Sequence, residues 1–205
     1  MASIICFGDS ITRGESDAVY GGWADRIKTR LIKQFLETDQ DRVSVFNMGI
    51  SGETTDGLIQ RFQPECVTRL SADNNNTVLF GYGANDLACE DGEHLVVIGS
   101  YIHNLSHCIE FALEKGASVV LINVTPIAAH LDGIPNINQR IRDDATINHY
   151  NKALLDLSVK YDVALIDVYT PFNADKEAYL TADGLHPNSA GHALLYEVIT
   201  SSLLS

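Results

Sequence analysis

The sequence is poor in cations, in long apolar runs and in paired cysteines, and each shortage removes a class of function. Lys and Arg number 14 against 27 Asp and Glu, a net charge of −13. Phosphate backbones and anionic membrane surfaces are gripped by clustered Lys and Arg, so neither nucleic acid nor such a surface is expected as a partner. No apolar run approaches the ~20 residues of a membrane-spanning helix, so no stable insertion is expected. The four cysteines, Cys6, Cys66, Cys89 and Cys108, form no C-x-x-C pair and show no zinc-ligand spacing. In a chain of 205 residues they read as buried thiols of a reducing compartment, not as a disulfide framework. Met1 runs almost at once into an apolar strand pattern, which leaves no room for a signal peptide, so a cytoplasmic protein is expected. There is no Walker A loop. Gly81-Tyr82-Gly83-Ala84-Asn85-Asp86 begins like a dinucleotide fingerprint, but Asp86 occupies the place of its final small residue. A small neutral substrate fits this balance best.

What is present is ordinary for a soluble domain, 45% hydrophobic and 20% charged, without repeats or linkers, so one domain over 1–205 is expected. Short apolar runs at Ser3–Phe7, Val43–Asn47, Thr77–Gly81, Ser118–Val124 and Val163–Val168 predict strands buried on both faces. Trp23, Ile27, Leu31 and Phe35 predict a helix over about 21–37, and Ile98, Ile102, Leu105 and Ile109 another over about 93–114. Further helices are predicted over about 141–160 and from Ser189 to near the end. A helical pattern at 54–70 contains Pro64, which should break it or start a second piece. Five βα units in series predict a three-layer α/β/α sandwich around a five-stranded parallel sheet. The long loops 125–140 and 169–188 follow strands, at the edge where such sheets place their sites.

Four blocks at that edge carry chemistry. In Phe7-Gly8-Asp9-Ser10-Ile11-Thr12, Gly8 permits a sharp turn and Ser10 stands beside free backbone N–H groups; the plain alternative is Ser10 as a helix N-cap. In Asn47-Met48-Gly49-Ile50-Ser51-Gly52-Glu53, the Gly52 N–H can approach a ligand, or the glycines merely serve the turn. Ser51 fails as a rival nucleophile because Glu53 occupies the last glycine of a G-x-S-x-G elbow. The Asn85 amide of Gly83-Ala84-Asn85-Asp86 suits an oxyanion hole or an Asx turn. In Asp183-Gly184-Leu185-His186-Pro187-Asn188, the Asp can hold Nδ1–H of the His and leave Nε2 to deprotonate a serine; the alternative is a helix entry with an incidental histidine.

In their order and context the blocks resemble those of the SGNH, or GDSL-type, serine hydrolases over nearly the whole chain. The resemblance implies Ser10 as nucleophile, with His186 as base and Asp183 behind it. It also implies an oxyanion hole from the N–H groups of Ser10 and Gly52 and the side chain of Asn85. The family's sandwich agrees with the strand pattern. Ile11 replaces the Leu of the family name, and Ala84 a common Gly, neither of them expected to touch chemistry. The implied reaction is hydrolysis of a carboxylic ester through an acyl-serine, with neither metal nor cofactor. Thioesters and acetylated carbohydrates are alternative substrates of the same site. A catalytically silent binding domain should have lost a triad member, and all the positions are present.

Other candidates are weaker. His103 and His107 have helical zinc-ligand spacing but lack a Glu between them and a third ligand, and read as partly exposed surface residues. His94, His130, His149 and His192 offer no arguable partner. Cys89 reads as a buried thiol, and Tyr20, Trp23 and Phe172 as core.

Overall fold

Alternate residues of the apolar runs need cover on opposite sides, and that requirement sets the architecture. The computed structural model describes residues 2–38, 41–72 and 75–203. In chain order its strands and α-helices are β1 (Ala2–Gly8), α1 (Ser10–Arg13), α2 (Trp23–Glu37), β2 (Val43–Gly49), α3 (Thr55–Val67), β3 (Asn75–Gly81), β4 (Cys89–Glu90), β5 (Glu93–His94), α4 (Ile98–Glu114), β6 (Ser118–Ile122), α5 (Asp144–Tyr161), β7 (Ala164–Ile166), α6 (Tyr169–Asn173), α7 (Lys176–Tyr179) and α8 (Ser189–Leu203). The main sheet has five parallel strands in the order β2-β1-β3-β6-β7. Ile5, Phe7, Val78, Phe80, Val119 and Leu121 pack on one face against α3, α4 and α5, through residues such as Phe62, Tyr101 and Leu154. Their neighbours Ile4, Cys6, Leu79, Val120 and Ile122 pack on the other against Trp23 and Ile27 of α2 and Leu195 and Ile199 of α8. This is the α/β/α sandwich expected from the pattern.

The chain leaves β1 for β2 on one side and crosses back to β3 on the other, so a topological switch point lies between the carboxyl ends of β1 and β3. Gly8 there is in register with both Gly49 and Gly81. The short helix α1 lies down on this row. A Cβ on Gly49 would come within 2.2 Å of Arg13 N and 2.8 Å of Asp9 O, and one on Gly8 within 2.8 Å of Gly81 O.

The structure departs from the expected elements in particular places. α3 runs through Pro64 without a break. Proline forfeits the bond to the carbonyl four residues back, but only one turn remains, and Phe62 and Cys66, both fully buried, anchor it to the core. The segment predicted to open a helix at 93 instead completes the hairpin β4–β5, and α4 begins at Ile98. Leu95 and Val96 donate their N–H groups to the carbonyls of Ala88 and Asp86, which holds the chain to the loop after β3. Cys89 is half-buried, not buried, because it pairs its backbone with Ile141 at the surface. Tyr20 is 58% exposed, lying over the Arg26 guanidinium, whereas Trp23 and Phe172 are core.

Gly49→Ala should destabilise the fold through overpacking against backbone that has no rotamer to yield, by about 3 kcal/mol. A drop of about 6–12 °C in Tm is the expected reading; an unchanged melting curve would mean that α1 does not rest on the glycine row.

Candidate active site

Ser10 follows β1 at the switch point. Asp9, not Ser10, is the N-cap of α1: its Oδ1 accepts the Ile11 N–H at 2.9 Å, leaving the Ser10 hydroxyl for other work. At the far end of the chain, Asn188 Oδ1 accepts the N–H groups of Ala190 and Gly191 as α8 begins. The preceding turn carries His186 across to α1, with Nε2 at 2.8 Å from Ser10 Oγ although 176 residues separate them. The other ring nitrogen, Nδ1, lies 2.7 Å from Asp183 Oδ2.

Burial works against charge on Asp183, but bonds from the His186 N–H and ring, the Leu185 N–H and the Thr181 hydroxyl outweigh it, holding its pKa at about 2. An ionised carboxylate only accepts, so Nδ1 carries the proton in the neutral imidazole, and Nε2 accepts from Ser10. Asp9, behind the serine, has the opposite character. Burial, the largest effect, and Asp86 raise it while the Ile11 N–H, His186 and Arg142 lower it, and the balance leaves it at about 7.

Three backbone and side-chain donors converge on the same edge. Ser10 opens α1, where a first N–H has no intrahelical acceptor. Gly52 has φ +76°, a conformation that favours glycine, with open space where a Cβ would stand. Asn85 is buried, with Nδ2 donating to the Glu53 carbonyl at 3.1 Å and Oδ1 accepting from Arg142 Nη2 at 3.3 Å. An amide nitrogen has a second hydrogen, available to a ligand. The loops bearing Gly52 and Asn85 are tied together. Asp86 Oδ1 accepts both the Thr55 N–H and its hydroxyl, while Arg61 clamps the Glu53 carboxylate from Nε and Nη2. Ser10, Gly52, Asn85, Asp183 and His186 all border one open cavity of about 640 Å³. Residues of the 131–142 segment line it as well, and that segment is held by the paired backbone bonds between Ile141 and Cys89. A separate cavity of about 30 Å³ behind Asp9, walled by Trp23, Val168 and Leu195, has room for little more than water.

The five site residues expected from sequence therefore come together. Ser51 borders the cavity too, but its hydroxyl donates to Glu15 and accepts from Arg13, with no imidazole beside it. His103 and His107 are exposed on α4, and no cluster of three or more metal-binding side chains exists among the described residues. His192, for which sequence offered no partner, is buried with Nε2 at 2.9 Å from the Glu15 carbonyl. Sequence reading missed Arg142, whose side chain is buried against the Asn85 loop. The signal was its place: a cation at the start of α5, where the helix dipole disfavours one, in a chain short of cations.

The state of Asp9 has a measurable consequence. Its folded pKa, about 7, lies above the ~3.9 of an unfolded aspartate, so between those values the native state holds a proton that the unfolded state has lost. Asp9 therefore erodes stability as pH rises through this window. Asparagine keeps an acceptor for the Ile11 N–H and does not titrate. The Tm of Asp9→Asn minus that of the wild type should be more positive at pH 8 than at pH 5; a difference independent of pH would mean that Asp9 is ionised throughout.

Residues 6–194 match the model of the GDSL-like lipase/acylhydrolase family. A solved structure of a lipolytic G-D-S-L family member from Veillonella parvula DSM 2008 superposes with a TM-score of 0.76 at 26% identity, covering 100% of this chain and 99% of that one. A lipase/acylhydrolase from Enterococcus faecalis does so with 0.73 at 25% identity, covering 99% and 95%. An uncharacterised lipoprotein of Bacillus subtilis (strain 168), YqeF, is 27% identical over 96% of this chain and 87% of its own length. With the family model matched across most of its length, the chain belongs to the GDSL-like lipase/acylhydrolase family.

Proposed function

We propose that the protein hydrolyses small carboxylic esters through an acyl-serine formed on Ser10. The observation that carries this reading is the continuous chain of contacts from Ser10 Oγ to His186 Nε2, 2.8 Å, and from His186 Nδ1 to Asp183 Oδ2, 2.7 Å. As Oγ attacks the ester carbonyl, its proton passes to Nε2, and the ionised Asp183 stabilises the imidazolium. Negative charge collects on the former carbonyl oxygen, where the N–H groups of Ser10 and Gly52 and Nδ2 of Asn85 donate to it. Collapse expels the alkoxide, which takes the proton from Nε2. Water then gives a proton to the freed His186, attacks the acyl-serine and releases the acid, restoring Ser10. Every step is a proton transfer or an acyl transfer among Ser10, His186, the ester and water. A cytoplasmic address is supported by the four free thiols, three of them buried; the Bacillus relative's name points to a different address.

A fluorophosphonate probe should label Ser10 and no other serine, since among the described residues Ser10 alone has this base beside it; an adduct on Ser51, or on the Ser10→Ala protein, would overturn the assignment. With p-nitrophenyl acetate, Asn85→Ala should lower kcat by about 10²–10³ with little change in KM, because its amide serves the transition state. Asp183→Asn should lose up to about 10⁴ by losing control of the imidazole tautomer. Melting curves accompany each rate, and a folded Asn85→Ala with wild-type kcat would leave the oxyanion to the backbone donors.

A further inference from the structure

Arg142 is 6% exposed, and its cation has no carboxylate within 4 Å among the described residues. Two of its donors are spoken for: Nε bonds the Ala84 carbonyl at 2.6 Å, and Nη2 bonds Asn85 Oδ1. Nη1 has no protein partner among the described residues, and the side chain borders the large cavity beside Ser10. Arg140 borders the same cavity one alternate residue away, its Nε bonded to Glu90 at 3.0 Å. Buried cations are ordinarily paired, and a guanidinium presents a planar fork suited to two anionic oxygens. The acidic neighbours on this cavity are already engaged, Glu15 by Ser51 and Arg13, and Asp183 by His186. Asp9 and Asp183 reach Arg142 only through space, so in a chain of net charge −13 a guanidinium with an open donor on this cavity is a selective feature.

Resting on the ester-hydrolase reading above, we infer that Arg142, supported by Arg140, binds an anionic oxygen group carried by the substrate, in the first place a carboxylate. The guanidinium is one hydrogen bond from the amide that holds the oxyanion, so the anion hangs only a few bonds from the scissile carbonyl. Half-esters of short dicarboxylic acids have that shape.

The test compares monomethyl succinate with methyl succinamate, which has the same shape and no charge, by methanol release. Methyl 3-phosphonopropionate distinguishes a phosphate-type ligand from a carboxylate. The wild type should favour an anion over the amide in kcat/KM by about tenfold to a hundredfold, the range of one charge-assisted pair. A preference for either anion supports the site and names its ligand. Arg142→Gln will slow all substrates through Asn85, so the ratio is the reading, and it should fall to about one. Arg140→Gln, at the rim, should lower the ratio in part, and succinate should raise the Tm of the wild type but not of Arg142→Gln. A wild-type ratio of one or below overturns the inference even if Arg142→Gln does not fold, and so does a ratio that survives the substitution. Turnover of p-nitrophenyl acetate reads the ester chemistry separately: its absence would sink the parent reading, whereas its presence without anion preference sinks this one alone.

Discussion

The site depends on a row of missing side chains. Gly8, Gly49 and Gly81 end adjacent strands in register, and α1 lies on the surface they leave bare. Any β-carbon at Gly8 or Gly49 would drive into backbone or into Thr12 at less than 3 Å, so the helix would have to lift off the sheet. Lifting it moves Ser10, the first residue of that helix. Ser10 thereby meets His186 at a fixed height, because α8 and the turn before it are packed on the same sheet through Leu195 and Ile199. The long span of chain between serine and histidine costs nothing in precision when both ends stand on one rigid sheet.

The second constraint acts sideways. Gly52 and Asn85 lie on loops after different strands, and the oxyanion hole proposed for them would tolerate little drift between its donors. Asp86 ties the start of α3 to the β3 loop through Thr55, and the Glu53 carbonyl accepts directly from Asn85 Nδ2. Glu53 is itself held by Arg61 and by the Tyr82 hydroxyl, which donates to it at 2.6 Å. Arg142 completes the frame from the other side of the amide, fixing Oδ1 so that Nδ2 faces the cavity.

The features legible in the sequence are those with a period or a motif. Ile4 and Cys6 alternating with Ile5 and Phe7 announce a strand covered twice, Ser10, Gly52 and Asn85 follow closely on the ends of β1, β2 and β3, and Asp183 and His186 stand in the turn before α8. The frame around them was not legible, because its members meet only through the fold. Arg142 reaches Ala84 across 58 positions, and Thr55 reaches Asp86 across 31, with no local pattern to mark either pair. The start of α4 misled for a related reason. Apolar residues from Ile98 onward have helical spacing, but Val96 is buried by a backbone bond to Asp86 that no periodicity reports. Pro64 misled because local propensity is weak beside the burial of Phe62 and Cys66 on either side of it.

Asp183 bonds the His186 ring, Asp9 feels the same histidine only through its field, and their surroundings shift the two carboxyls in opposite directions. Asp183 is half exposed and receives hydrogen bonds from the backbone and ring of His186, from Leu185 and from Thr181, so its charge is solvated by donors that cannot turn away. Asp9 is buried and receives one backbone bond, with Asp86 as an unfavourable neighbour and the Arg142 cation drawing it partly back. Keeping Asp9 near its midpoint around neutral pH leaves Asp183 as the dominant anion, on the Nδ1 side, where it fixes the tautomer without competing for the serine proton. Arg142 belongs to the same balance: its cation draws Asp9 down, and its side chain borders the cavity beside Ser10.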